Sequence, residues 1–442
     1  LLPNAQRLCR NESNAEPFIQ YLKMSLTSYS NLFTNHGKLL WFGFLLSFSS
    51  SFGQTYFIGA FGPAIQAEFE LSHTLWGTIY LIGTLASAAI LPWTGSLIDR
   101  FKLSTYTLFV GLGLIVACLV MSLASGFIAL IVAIFLLRQF GQALADHISA
   151  TTMARYFEAE RGRALAVATM GSATGQAFLP FLAVLAISLA GWRWTYASGA
   201  ILLSLFLIPM ALYLLRQDTR KRIQHFNGNN RNRKASLAIR SWTRPEVLRD
   251  TRFYLLIPGY LAPSIITTAL FLHHLTLAEE KGWSHTWITG NYIVYSASAV
   301  FTALVAGPLI DRYRAVRILP LSLVPLVLAL SFVVIFDSQR IVPPYMLMLG
   351  MSAGLVHTAA AAMWPELYGV RHLGAIKSLG VTLMVFGSAL GPAALGGMMD
   401  VGVSIEMVCV VSIVYSIFSG ILMYKAFRRS KKLDFNSDVS KT

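Results

Sequence analysis

Twelve runs of about 20 mostly apolar residues follow one another along the chain, centred near residues 50, 86, 114, 138, 176, 205, 265, 298, 326, 353, 388 and 415. Each is long enough to cross the hydrocarbon layer of a bilayer. Irregular backbone facing lipid would leave N–H and C=O groups unpaired, so each run should be a helix. The chain therefore reads as an all-α membrane protein with twelve transmembrane helices. Its makeup agrees, because 55% of the 442 residues are hydrophobic and only 12% are charged.

The runs form a repeat. Gly95-Ser96-Leu97-Ile98-Asp99-Arg100-Phe101-Lys102 returns as Gly307-Pro308-Leu309-Ile310-Asp311-Arg312-Tyr313-Arg314, an offset of 212 (307 − 95). His147, Met153 and Arg161 return as His357, Met363 and Arg371, an offset of 210 (357 − 147). Agreement between two separate registers argues against chance. Two tandem copies of a six-span unit follow, hence two pseudo-symmetric six-helix bundles.

Lysine and arginine set the orientation, since they concentrate in cytoplasmic loops. With the N-terminus inside, inner segments hold 31 of the 35 basic residues; Arg193, Lys281 and Arg340 fall outside, and Arg138 lies within a span. Both termini are read as cytoplasmic. The net charge of +15 is then a topology signal and a match to anionic lipid head groups. Nucleic acid is not expected as a partner, because the basic residues are spread over seven inner segments. Cys9, Cys118 and Cys409 show no metal-ligand spacing. No cofactor or metal is expected.

The two bundles are bounded at 38–215 and 253–427, with cytoplasmic tails over 1–37 and 428–442. The first 23 residues show neither a signal-peptide pattern nor helical periodicity. They are read as an extension upstream of a start at Met24, which N-terminal sequencing of native material tests. Residues 216–252 carry eleven Lys/Arg against Asp218, Glu246 and Asp250, and are read as a flexible cytoplasmic linker. At its end, Thr243-Arg244-Pro245-Glu246 has capping-box spacing with Pro in the first turn, which predicts a short surface helix.

Two six-span halves, a long middle loop and Gly-x-Leu-x-Asp-Arg after spans two and eight resemble the major facilitator superfamily, over roughly residues 30 to 428. Phe52-Gly53-Gln54-Thr55-Tyr56-Phe57, Arg138-Gln139-Phe140-Gly141-Gln142, Ala154-Arg155-Tyr156-Phe157 and Gly191-Trp192-Arg193 are similar to bacterial members near the monocarboxylate and oxalate/formate porters. The resemblance implies the major facilitator fold, a monomer in a bacterial inner membrane, and alternating access around a mid-membrane cavity. It also implies that Asp99 docks the cytoplasmic start of span eleven and Asp311 that of span five. Gly95, Arg100, Arg161, Arg163, Gly307, Arg312, Glu366 and Arg371 would complete a cytoplasmic gate. The alternative is that these turns only enforce orientation. Animal-type monocarboxylate porters carry a lysine in span one and an Asp/Arg pair in span eight; here span one has Gln54, and span eight is uncharged before Asp311.

Within the spans Arg138 is the sharpest residue. Charge at mid-span costs about 3 kcal/mol even on insertion scales, so it should face a watery cavity or a partner. At about 100° per residue, Gln142, Ser149 and Thr152 fall on its side of the helix, with Asp146 further round. Arg138 either binds an anionic or carbonyl group, serves proton coupling, or is structural, bonded to backbone carbonyls or paired with Asp146. His147 lies on the opposite face, and with its mate His357 suggests packing, gating or proton relay at the cytoplasmic ends. His273 and His274 follow Pro258 and Pro263, which should kink span seven; they line either a substrate wall or a solvated outer end. Gln54, Tyr56, Tyr80, Tyr292 and Tyr295 offer neutral hydrogen bonds, although tyrosines at head-group depth also act as interfacial anchors.

The sequence has no Gly-x4-Gly-Lys-[Ser/Thr] phosphate loop and no His-Glu-x2-His, so neither ATP drive nor a zinc enzyme is supported. The reading is a secondary transporter, not an enzyme, moving a small organic solute through a cavity lined by spans one, four, seven and ten, coupled to protons. Because the one mid-membrane charge is positive, a small organic anion such as a monocarboxylate is favoured as substrate. The alternatives are efflux of hydrophobic compounds and a non-transporting membrane receptor.

Overall fold

The computed structural model describes residues 16–157, 160–215, 242–369 and 372–439. Ten helices among them are long and apolar enough to cross a membrane. One of these, Arg161–Leu215, holds two crossings, because Gly191 at φ 80° interrupts it. A side chain would be strained at that angle, and glycine is not. The twelfth crossing is span one, whose helix is broken. Glu16–Ser50 gives way to a 3-10 turn at Ser51–Gly53, Gln54 is extended (φ −85°, ψ 152°), and helix resumes as Thr55–Gly59 and Gly62–Phe69.

The remaining crossings follow in order: span two His73–Ser96, three Leu103–Ser122, four Phe127–Tyr156, and five and six on either side of Gly191. Span seven is Thr251–Leu272 continued by His274–Glu280, and eight is His285–Ile310. Nine is Ala315–Ile335, ten Gln339–Tyr368, eleven Leu373–Asp400, and twelve begins at Ile405. The turns at 97–102, Arg314 and Gly369 and the end of the linker lie at one end of the bundle, called here the basic end. The loops at 70–72, 123–126, 281–284 and 401–404 lie at the opposite, far end.

Local chemistry sets several of these boundaries. Ser72 accepts a hydrogen bond from Leu75 N–H at 3.2 Å and caps span two. The capping box before span seven forms, with Glu246 Oε2 accepting from Thr243 N–H at 2.7 Å ahead of the helix Arg244–Arg249. Val247 of that helix is fully buried, so the end of the linker packs on the bundle; residues 216–241 lie outside the described residues. Residues 16–23, read from the sequence as lacking helical periodicity, are helical. Extending a helix that is already nucleated costs far less than starting one and needs no amphipathic pattern.

The buried core is divided unequally between the ends. At the far end one cluster joins both halves, with Tyr56, Phe61 and Trp76 packed in the same body as Phe271, Tyr345 and Leu395. At the basic end the second half has a separate core around Phe253, Tyr260, Trp364 and Tyr368. A cavity of about 650 Å³ lies between spans two, four and eleven in the basic half. The halves share packing at the far end and part towards the basic end.

Spans one and four touch backbone to backbone. A Cβ at Gly53 would strike the Leu137 carbonyl, and one at Gly141 would lie 2.7 Å from the Gly53 nitrogen. Small residues commonly permit such approach between membrane helices. Gly53→Ala or Gly141→Ala is expected to lower stability by about 1–3 kcal/mol, the usual cost of overpacking. Gly162→Ala, with no neighbour within 4 Å, should change little. Thermal unfolding of the purified variants checks this, and equal melting temperatures for all three would refute the contact.

Candidate functional site

The break in span one organises the middle of the first half. Three successive serines precede it, and their hydroxyls compete for backbone: Ser49 Oγ donates to Leu45 O at 2.9 Å and Ser50 Oγ to Ser47 O at 2.7 Å. The break frees the Gly53 carbonyl, and Arg138 Nη1 donates to it at 3.1 Å. The guanidinium also lies over the Tyr80 ring, 5.1 Å from its centroid, and Tyr80 OH meets Thr55 Oγ1 at 2.5 Å. Arg138 is 4% exposed, has no carboxylate partner among the described residues, and keeps a buried Nε without a hydrogen bond. Of the alternatives drawn from sequence, bonding to a backbone carbonyl is found and pairing with Asp146 is not.

Span four is not regular around Arg138. Residues Leu137–Ala145 form a π-helix, a form that recurs at functional sites. The angular reading at 100° per residue therefore fails across this stretch. The polar residues beyond it dock on span one instead of facing open water. Asp146 accepts from Ser47 Oγ at 3.1 Å, and Ser149 Oγ donates to Gly43 O at 2.7 Å. Gln54 and Gln142 are half-buried near the break. Gln139, which sequence reasoning passed over, joins spans four and two: Ser87 Oγ donates to its Oε1 at 2.9 Å and its Nε2 donates to Thr94 Oγ1 at 2.8 Å.

The tyrosines are not interfacial anchors. Tyr56 is buried and donates to Ser51 Oγ at 2.9 Å, with its ring against Phe271 of the other half. Tyr295 of span eight is buried beside Phe271, their rings edge to face 5.1 Å apart. Tyr292 and Tyr345, the latter missed from sequence, hold His274: their hydroxyls lie 2.8 Å from Nδ1 and 3.0 Å from Nε2. A neutral imidazole has one N–H and one lone pair, so one hydroxyl donates and the other accepts.

Neither histidine of span seven is solvated. His273 and His274 are each 1% exposed. The helix runs through Pro258 and Pro263 and is interrupted at His273 (φ −104°, ψ 20°). Nearby, Asp400 at the end of span eleven caps the start of span two, accepting from His73 N–H at 3.0 Å and Thr74 N–H at 2.8 Å. Within the first half, Glu68 accepts from Trp192 Nε1 at 2.5 Å and Arg193 Nη2 at 2.6 Å, which gives the Gly191-Trp192-Arg193 string its role. In the second half, Lys281 pairs with Asp337 at 2.6 Å and with Glu406. Burial works against the Lys281 ammonium, but these hydrogen bonds outweigh it and raise its pKa above the ordinary lysine value.

At the basic end the ion pairs among the described residues lie within each half. Asp99 forms an ion pair with Arg155 of span four; the side chains at the start of span eleven, where the resemblance implied its partner, lie outside the described residues. In the second half the polarity is reversed: Arg314 Nε lies 2.6 Å from Glu366, which also accepts from Ala315 N–H at 2.8 Å. Arg163 reaches Glu160 at 3.5 Å, Arg100 and Arg161 are exposed, and Arg312 lies over the Tyr313 ring. Gly95 is buried beside His147, whereas Gly307 has open space where a side chain would be. Arg371 and the Asp311 side chain lie outside the described residues. His147, Asp99 and Arg155 form the polar rim of the 650 Å³ cavity, whose walls are mostly apolar, including Leu85, Pro92, Val385 and Phe386. His357 is exposed.

The sequence matches the family model described as Major Facilitator Superfamily over residues 43–392 and 274–440. No curated protein matches it. Among solved structures, a point mutant of the nucleoside transporter NupG superposes with a TM-score of 0.69 at 11% identity, over 88% of this chain and 100% of that one. A bacterial homologue of the human lysosomal transporter Spinster, inward-facing and occupied, gives 0.66 at 14% identity, over 90% and 97%. The unoccupied inward-facing form of that homologue gives 0.65 at 13%, over 89% and 97%. At such identities the likeness is one of fold.

The Tyr–His–Tyr group has a testable consequence. Tyr345→Phe leaves one His274 nitrogen buried without a partner and should cost about 1 kcal/mol, the scale of side-chain hydrogen bonds between membrane helices. Tyr292→Phe should do the same. Thermal unfolding in detergent checks both, and unchanged melting temperatures would show that the group does not hold spans seven, eight and ten together.

Proposed function

The chain belongs to the Major Facilitator Superfamily, and on that premise we propose that this transporter moves a small organic anion by alternating access, coupled to protons. The observation that carries the substrate class is Arg138, a buried cation with a carbonyl and an aromatic face for company and no carboxylate among the described residues. A charge inside a bilayer calls for compensation, and a substrate anion supplies it. The bias of lysine and arginine supports a cytoplasmic basic end. The cavity then faces the cytoplasm and the shared core closes the outside. The two halves, 38–215 and 253–427, move as the rocking bodies, and a single chain suffices for the cycle.

A second reading has its own support. The walls of the basic-side cavity are largely apolar, which suits a hydrophobic compound exported from the membrane or cytoplasm.

Ligand-induced thermal shift separates the two, because a ligand of the folded state raises the melting temperature by mass action. Organic acids, amino acids, sugars and hydrophobic cations are screened on the wild type and on Arg138→Ala. That variant loses the donor to Gly53 and should itself melt lower, so the ligand-induced increment is the quantity compared. An increment with organic acids that disappears in Arg138→Ala supports the anion. Increments with hydrophobic compounds alone, unchanged in the variant, favour export and leave Arg138 as the clamp of span one.

A further inference from the structure

The closed far end holds a pair of histidines that neither the fold nor the anion reading uses. His73 opens span two and His273 ends the first part of span seven, so they come from opposite halves; their rings meet edge to face with centroids 6.0 Å apart. Nδ1 of His73 and Nδ1 of His273 are buried without hydrogen-bond partners among the described residues, and so are Nε1 of Trp76 and Oε1 of Gln66, whose side chains meet near Gly62 beside the Leu272 carbonyl. Buried polar atoms in native proteins are nearly always paired. Such a group at the interface of two moving bodies points to a site that takes something up.

The tautomer of His273 identifies what it takes. Its Nε2 lies 3.1 Å from the Pro392 carbonyl, which can only accept, so Nε2 carries the hydrogen. In the neutral ring Nδ1 is then a bare lone pair, buried and free. His274 next to it differs, since both its nitrogens are engaged by tyrosines. The titratable groups facing His273 are His73 of span two and Asp400 of span eleven, and the Asp400 carboxylate is occupied by the two N–H groups at the start of span two. Span one brings only the neutral Gln66 beside Trp76 and Gly62.

We propose that His273, with His73 opposite, is a proton-binding site that unlocks the far end. This rests on the alternating-access reading above and assigns to it a place where the coupling proton acts. A proton from the far side adds to Nδ1 of His273 and gives an imidazolium that keeps its Nε2–H bond to Pro392. That cation lies in a packed interface, beside a second imidazole, and the one facing carboxylate, Asp400, is held at the start of span two by two N–H groups without a hydrogen bond to His273. Burying a charge that is not hydrogen-bonded to a counter-ion is costly, and separating the halves at this end hydrates it. Protonation thus favours the far-end-open state, and loss of the proton favours the closed state seen here.

Spin labels at Leu123→Cys and Val401→Cys, far-end positions on opposite halves that are each 78% exposed, report this opening without any substrate. Their distance distribution is measured on the full chain between about pH 8 and about pH 5, the range in which histidine changes charge. The expected result is a longer-distance population that grows on acidification. His273→Gln, whose amide can still donate to Pro392, should keep the short distance at both pH values, and His73→Gln should weaken the response. A wild type with no pH response, or a response that survives His273→Gln, overturns the proposal. If His273→Gln lacks the short distance at high pH, His73→Gln carries the test, and an undiminished response in it counts against the site. Because no transport is measured, this outcome is separate from that of the anion reading.

Discussion

A backbone carbonyl inside a bilayer must have a donor, and most of the first half is arranged around one place where the helix does not provide it. The serine run ahead of Gln54 breaks span one, and the exposed Gly53 carbonyl is met by Arg138. For the guanidinium to reach it, spans one and four must come into backbone contact, which is why glycines occupy both sides of the approach. Tyr80 and Thr55 close around the same cation. The upper part of span one then leans on span seven, where Tyr56 meets Phe271. One unmet hydrogen bond thus connects a helix break, a π-helix, a buried charge and the contact between the halves.

That contact is unequal along the bundle. At the far end it is dense and aromatic, supplemented by the Asp400 cap on span two. At the basic end the ion pairs among the described residues lie within one half, Asp99 with Arg155 in one and Glu366 with Arg314 in the other. Ion pairs confined to one half do not resist separation of the two, and exposed pairs contribute little in any case. The halves thus stand apart around the cavity of the basic half while the far end is packed shut.

How much of this was legible in the sequence differs residue by residue. The twelve spans and the repeat were, because a bilayer imposes length and apolarity on every crossing. Arg138 stood out for the same reason, and its carbonyl partner was among the alternatives. Its true surroundings were not readable, since the π-helix changes the angular register of span four and no local propensity announces it. The histidines of span seven were placed near an outer surface that proves to be interior, because burial there comes from other spans, Tyr292 and Tyr345 around His274 and Pro392 and His73 around His273. Tyr345 escaped notice because an isolated tyrosine at a span end carries no signal until His274 is seen beside it.

The sequence by itself determined the class of structure: apolar length demands helices, duplicated motifs demand two bundles, and segregated charge distinguishes the two ends. These are properties of single segments in a bilayer and need no partner to be read. Only the tertiary structure decided what each polar residue does. Whether Arg138 faces a carbonyl or a carboxylate, whether Asp99 pairs within its half or across, and whether His273 meets water or His73 all depend on which helix lies alongside. In a membrane the hydrophobic effect does not distinguish one helix neighbour from another, so close packing and the satisfaction of buried polar groups make that choice.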